Sequence, residues 1–153
     1  MGTTTFDGTG SHTWADSTTP KQDMGAVIAS GTAETIQLQS DVRVTDITIE
    51  NGNTIDVTGV SYTLEVLSDF TNNGVFTARN GEVLFLATST GHTITPGGSS
   101  FYDIRFNGVG GNWAFGQSTV DVTNDFLIDD GIVTMAAGTT TVAGSFTNNA
   151  SFM

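Results

Sequence analysis

Thr119-Val-Asp-Val-Thr-Asn-Asp-Phe126 is soon followed by a second version of itself, Thr139-Thr-Thr-Val-Ala-Gly-Ser-Phe146. An earlier version stands at Thr63-Leu-Glu-Val-Leu-Ser-Asp-Phe70, and the first and third run on identically into Phe70-Thr-Asn-Asn73 and Phe146-Thr-Asn-Asn149. Self-similarity at a short fixed period is the signature of stacked units that bury an apolar face only against their neighbours. Further out, Val44, Leu64, Leu84 and Ile104 lie 20 apart, and Val122 and Val142 continue at that interval. The spacing predicts an all-β chain wound as a parallel β-solenoid, or β-helix, with rungs of about 20 residues. Equivalent residues would then stack at the inter-strand distance of about 4.8 Å. The offset between the first two copies, from Thr63 to Thr119, is not a multiple of 20, which predicts an insertion or an irregular rung between them.

Short alternating segments bounded by Gly, Asn, Asp or Ser recur from about residue 34 to the end, as strands do. They include Val42–Ile49, Tyr62–Leu67, Glu82–Leu86, Phe101–Phe106, Thr119–Val122 and Ser145–Asn148. Asn51-Gly52, Asn73-Gly74, Asn80-Gly81 and Asn107-Gly108 predict turns with positive φ. Such strands and turns also suit an antiparallel β-sandwich or jelly roll, but a sandwich has no need of a phrase repeated three times. Residues 1–33 are less repetitive and read as an N-terminal cap or first strands, with Met24–Ala29 a strand and Trp14 sealing the first rung. Residues 34–153 form the repetitive β domain, and the whole is one structural unit.

Composition narrows the function more than it defines it. Four Lys and Arg face sixteen acids, a net charge of −12. Scattered cations cannot track a phosphate backbone or an anionic bilayer, so neither nucleic acid nor membrane insertion is expected. Cysteine is absent, which excludes thiol chemistry, thiolate-bound zinc and disulfides. The N-terminal Met1-Gly-Thr-Thr-Thr-Phe6 has neither the basic nor the apolar region of a signal peptide.

Residues that carry chemistry elsewhere have plainer readings in this chain. His12 and His92 stand far apart in the sequence with no partner at ligand spacing, so neither a metal site nor a Ser-His-Asp arrangement is expected. No cofactor is expected either. Paired carboxylates for glycoside cleavage could come from Asp121, Asp125, Asp129 and Asp130, or from Glu65 and Asp69. Asp69 and Asp125 hold the same place in the repeated phrase, as do Glu65 and Asp121, which points to an outward structural position and not to an enzyme. Trp113, with Asn112 and Tyr102 near in sequence, is a candidate for stacking and hydrogen-bonding a sugar, or else a plug for a wide rung. Phe146, Asn148, Asn149 and Phe152 lie where the third copy stops in mid-rung. There they would form an open end with unpaired backbone groups, able to add another subunit.

Ser100-Phe-Tyr-Asp-Ile-Arg-Phe-Asn-Gly-Val-Gly-Gly-Asn-Trp113, Phe70-Thr-Asn-Asn-Gly-Val-Phe-Thr77 and His92-Thr-Ile-Thr-Pro-Gly-Gly98 resemble β-repeat segments of bacterial surface adhesins and phage tail-fibre proteins. The resemblance covers roughly residues 40–153. It implies a structural module of a virion or extracellular fibre whose partner is a further copy of itself, as a head-to-tail filament or a trimeric fibre. Its alternative implication is a carbohydrate-binding receptor module that meets cell-surface glycan.

Overall fold

The structure, a computed structural model, describes residues 2–150 and contains no helix among them. The chain winds through roughly seven coils of about 21 residues, a β-solenoid. The first coil holds β1 (Thr3–Phe6) and β2 (Thr9–Trp14). The second holds β3 (Ala26–Ala29), β4 (Thr32–Leu38) and β5 (Val42–Val44), the third β6 (Ile47–Ile49), β7 (Thr54–Asp56) and β8 (Thr63–Val66). The fourth has β9 (Phe70–Asn72), β10 (Val75–Thr77) and β11 (Glu82–Phe85), and the fifth β12 (His92–Thr95) and the start of β13 (Asp103–Phe115). The sixth takes in the end of β13, β14 (Thr119–Val122) and the start of β15 (Phe126–Thr134). The seventh takes in the end of β15, β16 (Thr139–Val142) and β17 (Phe146–Asn148).

Three strand columns run along the axis, and every pairing between strands is parallel. β1, β3, β6, β9, β12 and the ends of β13 and β15 make the first column. β2, β4, β7 and β10 make the second, which resumes with a bridge from Phe101 to Val122 and the β14–β16 pair. β5, β8, β11, the starts of β13 and β15, and β17 make the third. Two sequence segments expected to be single strands or separate ones differ. Val42–Ile49 breaks at a corner around Thr45-Asp46, and β13 turns continuously from the third column into the first.

The register corrects the ladder expected at a constant step of 20. In the third column Val42 pairs with Leu64, Leu64 with Val83, Val83 with Ile104, Ile104 with Phe126 and Phe126 with Phe146. Steps therefore vary between 19 and 22, and each odd step reverses which face a constant count lands on. Val44 pairs with Val66, and Leu84 points outward in line with Glu65 and Arg105. The irregular offset between the first two copies of the phrase also has a different cause. The first copy runs from the third column into the first, through β8 and Phe70. The other two run from the second column into the third, through β14 or β16 and the following Phe. No inserted rung is required.

What the copies share is a corner. The Asp before the closing Phe accepts a backbone N–H from the coil above: Asp69 Oδ1 from Thr93 at 2.7 Å, and Asp125 Oδ1 from Ser145 at 2.7 Å. Asp46 takes the N–H of Asp69 at 3.1 Å, Asp103 that of Asp125 at 3.0 Å, and Asp41 that of Thr63 at 2.9 Å. Corners thus satisfy donors that strand pairing leaves over, while the Phe that follows turns inward.

Those phenylalanines fill the later coils. Phe70, Phe85, Phe101, Phe106 and Phe126 are all buried, whereas the second and third coils rely on Ile36, Leu38, Ile47, Ile49, Ile55 and Leu64. Burying each such side chain contributes roughly 1.5–3 kcal/mol. Glu34, Asn53, Asp56 and Asn72 are the polar side chains buried among the described residues. Asn72 Nδ2 donates to Pro96 O at 2.7 Å and Ser99 Oγ at 3.0 Å, and its Oδ1 accepts from Gly74 N. Of the four Asn-Gly pairs only Gly52 has positive φ, at 85°. Gly108 is needed for closeness instead, since a Cβ there would lie 1.9 Å from Ala87 O on the preceding coil.

The segment expected as an N-terminal cap or first strands supplies the first coil and enters the second, and two strands precede the one expected at Met24–Ala29. Trp14 is buried against Phe6, with ring centroids 5.6 Å apart. Beyond it a loop is gathered on Asp16. Thr18 donates to Oδ1 from its hydroxyl at 2.6 Å and its N–H at 2.8 Å, and Gln22 N donates to Oδ2 at 2.8 Å. These bonds, the Thr18 hydroxyl first, lower the carboxyl from 3.8 to about 2. A depressed folded-state value stabilises fully above the unfolded value and is lost as pH falls through the folded one. Asp16→Asn is therefore expected to melt below the parent at pH 7. The difference should close between about pH 4 and about pH 2, as a series of thermal melts would show.

Candidate functional site

The corner where the third column passes into the first collects most of the chemistry. β13 bulges between Asn107 and Asn112 and β15 turns at Gly131, so both strands round this corner without breaking. Trp113 enters the first column just past the bulge and is wholly buried. Its benzo edge lies over glycines: a Cβ on Gly111 would sit 2.4 Å from Cη2, and one on Gly131 2.6 Å from Cζ3. Phe106 and Phe85 close on it at centroid distances of 5.2 and 6.5 Å. Trp113 is thus the plug of a wide coil, and no ring face is left for a sugar. Its Nε1 is buried without a hydrogen-bond partner.

Asn112 stays near the surface, where it lines a groove of about 230 Å³ with Thr90, Gly110, Gly111, Asp130 and Ile132. Tyr102 lies at the other corner of the preceding coil, before β13 starts, and packs partly buried against the core. The structure therefore brings Asn112 and Trp113 together and leaves Tyr102 apart.

Every acid considered for bond cleavage is tied into local or coil-to-coil contacts. Glu65 pairs with Arg43, Asp121 accepts from the Thr141 hydroxyl, and Asp125 and Asp69 hold the corner N–H groups described above. Asp129 accepts from Asn149 Nδ2 at 3.0 Å and from Arg105 Nε at 2.7 Å, which holds its carboxyl below the ordinary range. Asp130 accepts the N–H of Gly131. Apart from that last turn contact, these are the bonds expected of axial ladders.

The histidines are less isolated than their sequence spacing suggests. His12 Nε2 lies 3.4 Å from Oε1 of Glu34, a buried carboxylate whose Oε2 has no partner. His92 opens β12 with its side chain 12% exposed. Its Nδ1 is 3.1 Å from Ser68 Oγ and 3.7 Å from Asp69 Oδ1, and its Nε2 is 2.9 Å from Ser89 Oγ. Two serine hydroxyls thus flank the imidazole, with the Asp69 carboxylate just beyond hydrogen-bond reach of Nδ1. Ser68 lies about one coil before His92, and only a coil-length search of the sequence would have paired them.

In the seventh coil, Phe146 is 54% exposed and its ring lies tilted against Phe126 with centroids 5.2 Å apart. Asn148 Oδ1 accepts from Ala150 N at 2.9 Å, and Asn149 N donates to Ile128 O at 2.7 Å. Those two amides thus fold back onto the sixth and seventh coils, and Phe152 lies outside the described residues. Among the described residues no three His, Asp or Glu side chains group to hold a metal.

Fold and corners together define the chain as a parallel β-solenoid. Comparison with protein-family models, with curated proteins and with solved structures finds no match.

Proposed function

We propose that this chain is a structural, self-associating module of a virion or extracellular fibre, lengthened by stacking the first coil of one copy on the seventh coil of another. The observation that carries the reading is the seventh coil. Among the described residues β16 and β17 each pair along one edge, and Phe146 continues an inward column while remaining half exposed. At the opposite end β1 and β2 also pair along a single edge, so head-to-tail addition keeps every strand parallel and gives each edge a partner. The net charge of −12 on each copy opposes contact, so association should strengthen with salt.

Sedimentation over a concentration series at low and high salt, with electron microscopy, tests the reading. Rods that lengthen with concentration and salt are expected. Phe146→Asp should return the chain to monomers without changing its circular dichroism. A wild-type chain that stays monomeric throughout would overturn the proposal.

A further inference from the structure

The His92 cluster has a geometry that rod building does not use. Ser89 is exposed, in the turn before β12, and its Oγ stands 2.9 Å from His92 Nε2. On the other side of the imidazole, Nδ1 meets Ser68 Oγ at 3.1 Å, with the Asp69 carboxylate at 3.7 Å. Ser68 Oγ can accept a proton carried on Nδ1, and the tautomer with the proton there leaves the Nε2 lone pair for the Ser89 hydroxyl. The backbone of Ser89 is tied to a residue that lines the neighbouring groove. Ser89 O accepts the N–H of Asn112 at 3.1 Å, and Asn112 and the adjacent Thr90 line the 230 Å³ groove floored by Gly110 and Gly111. An exposed hydroxyl, an imidazole in hydrogen-bond reach and a group orienting that imidazole make up the arrangement that activates a serine.

We propose that Ser89 is a nucleophile for acyl transfer from small uncharged esters, with His92 as its general base and Ser68 and Asp69 as positioning residues. Ser89 Oγ forms a bond to the ester carbonyl carbon as its proton passes to His92 Nε2. The carbon–oxygen bond to the alcohol then breaks, and the leaving oxygen takes the proton from Nε2. Water next attacks the acyl carbon, giving a proton to Nε2, and the bond to Ser89 breaks with that proton returning to Oγ. Ester and water thereby become acid and alcohol. Ile132 offers the groove an apolar wall, while Asp130 there and the −12 charge of the chain disfavour an anionic ester. This site does not depend on whether the chain forms rods.

The full-length chain should be treated with a fluorophosphonate probe and, separately, with p-nitrophenyl acetate, followed by intact mass and peptide mapping. One adduct, on Ser89, is expected. Ser89→Ala should abolish it, and His92→Gln should slow it by about 100-fold or more. Ser68→Ala and Asp69→Asn should slow it less and shift the pH profile, which a purely structural role would not do. Circular dichroism confirms that each variant is folded, and the exposed Ser89→Ala keeps the test valid if His92→Gln unfolds. Failure of wild type to label at Ser89 would overturn the proposal. So would labelling of Ser89 no faster than other exposed serines, or equal rates in a folded His92→Gln.

Discussion

Phe106→Ala should destabilise the solenoid by about 3–5 kcal/mol and lower its melting temperature by roughly 10 °C. Phe106 is wholly buried in the fifth coil, where four aromatic rings converge on it. Phe85 stacks on it at 5.0 Å and 13°, and Trp113, Phe126 and Phe115 approach at 5.2, 5.6 and 6.3 Å. These neighbours come from the coils on either side, so a cavity at this point weakens contacts along the axis as well as within a coil. The backbone ladders on both sides hold the coils at a fixed spacing and limit collapse into the space. Against a total stability of about 5–15 kcal/mol, such a loss is severe. Urea titration of parent and variant checks it, and a change below about 1 kcal/mol would show that the aromatic column is not the mainstay of the core.

Val122→Asp should be worse, because it places an unpaired carboxylate among apolar side chains. Val122 is buried and bridged to Phe101 on the coil below, while Val142 sits on it from above. The cost is expected to reach about 4–5 kcal/mol or more, enough to leave much of the chain unfolded at neutral pH. The next residue provides the control. Thr123 is exposed, and its hydroxyl donates to Phe101 O at 3.1 Å, so Thr123→Asp should cost only about 1 kcal/mol. Circular dichroism of the two variants side by side decides the matter, and equal tolerance would refute the alternation.

The contrast between neighbours was legible in the sequence for β14 and β16, where the interval of 20 is real: Val122 does pair with Val142. It was not legible at Leu84, which a count of 20 places inside and the shorter step from Leu64 to Val83 places outside. A repeated phrase reports local preference, an alternating strand ended by a corner Asp or Ser and an inward Phe. More than one corner of a coil can accept it, so the copies do not mark one face. The same limit applied to chemistry. Ser68, Asp69, Ser89 and His92 look unrelated along the chain, and coil stacking brings Ser68 and Asp69 onto the imidazole that Ser89 already faces. Trp113 was legible as either plug or platform, and the glycines at 111 and 131 decided for the plug by letting its ring sit against the backbone.

Period, alternation and corner residues determined, from the sequence alone, that this chain is a parallel β-solenoid, because those properties follow from side-chain sterics and hydrogen bonding within each short segment. Tertiary structure alone decided which column each segment joins, which coils lengthen or shorten, and which distant polar groups meet. Those outcomes depend on how successive coils of unequal length close upon one another, a balance between backbone pairing and core filling that no single segment carries.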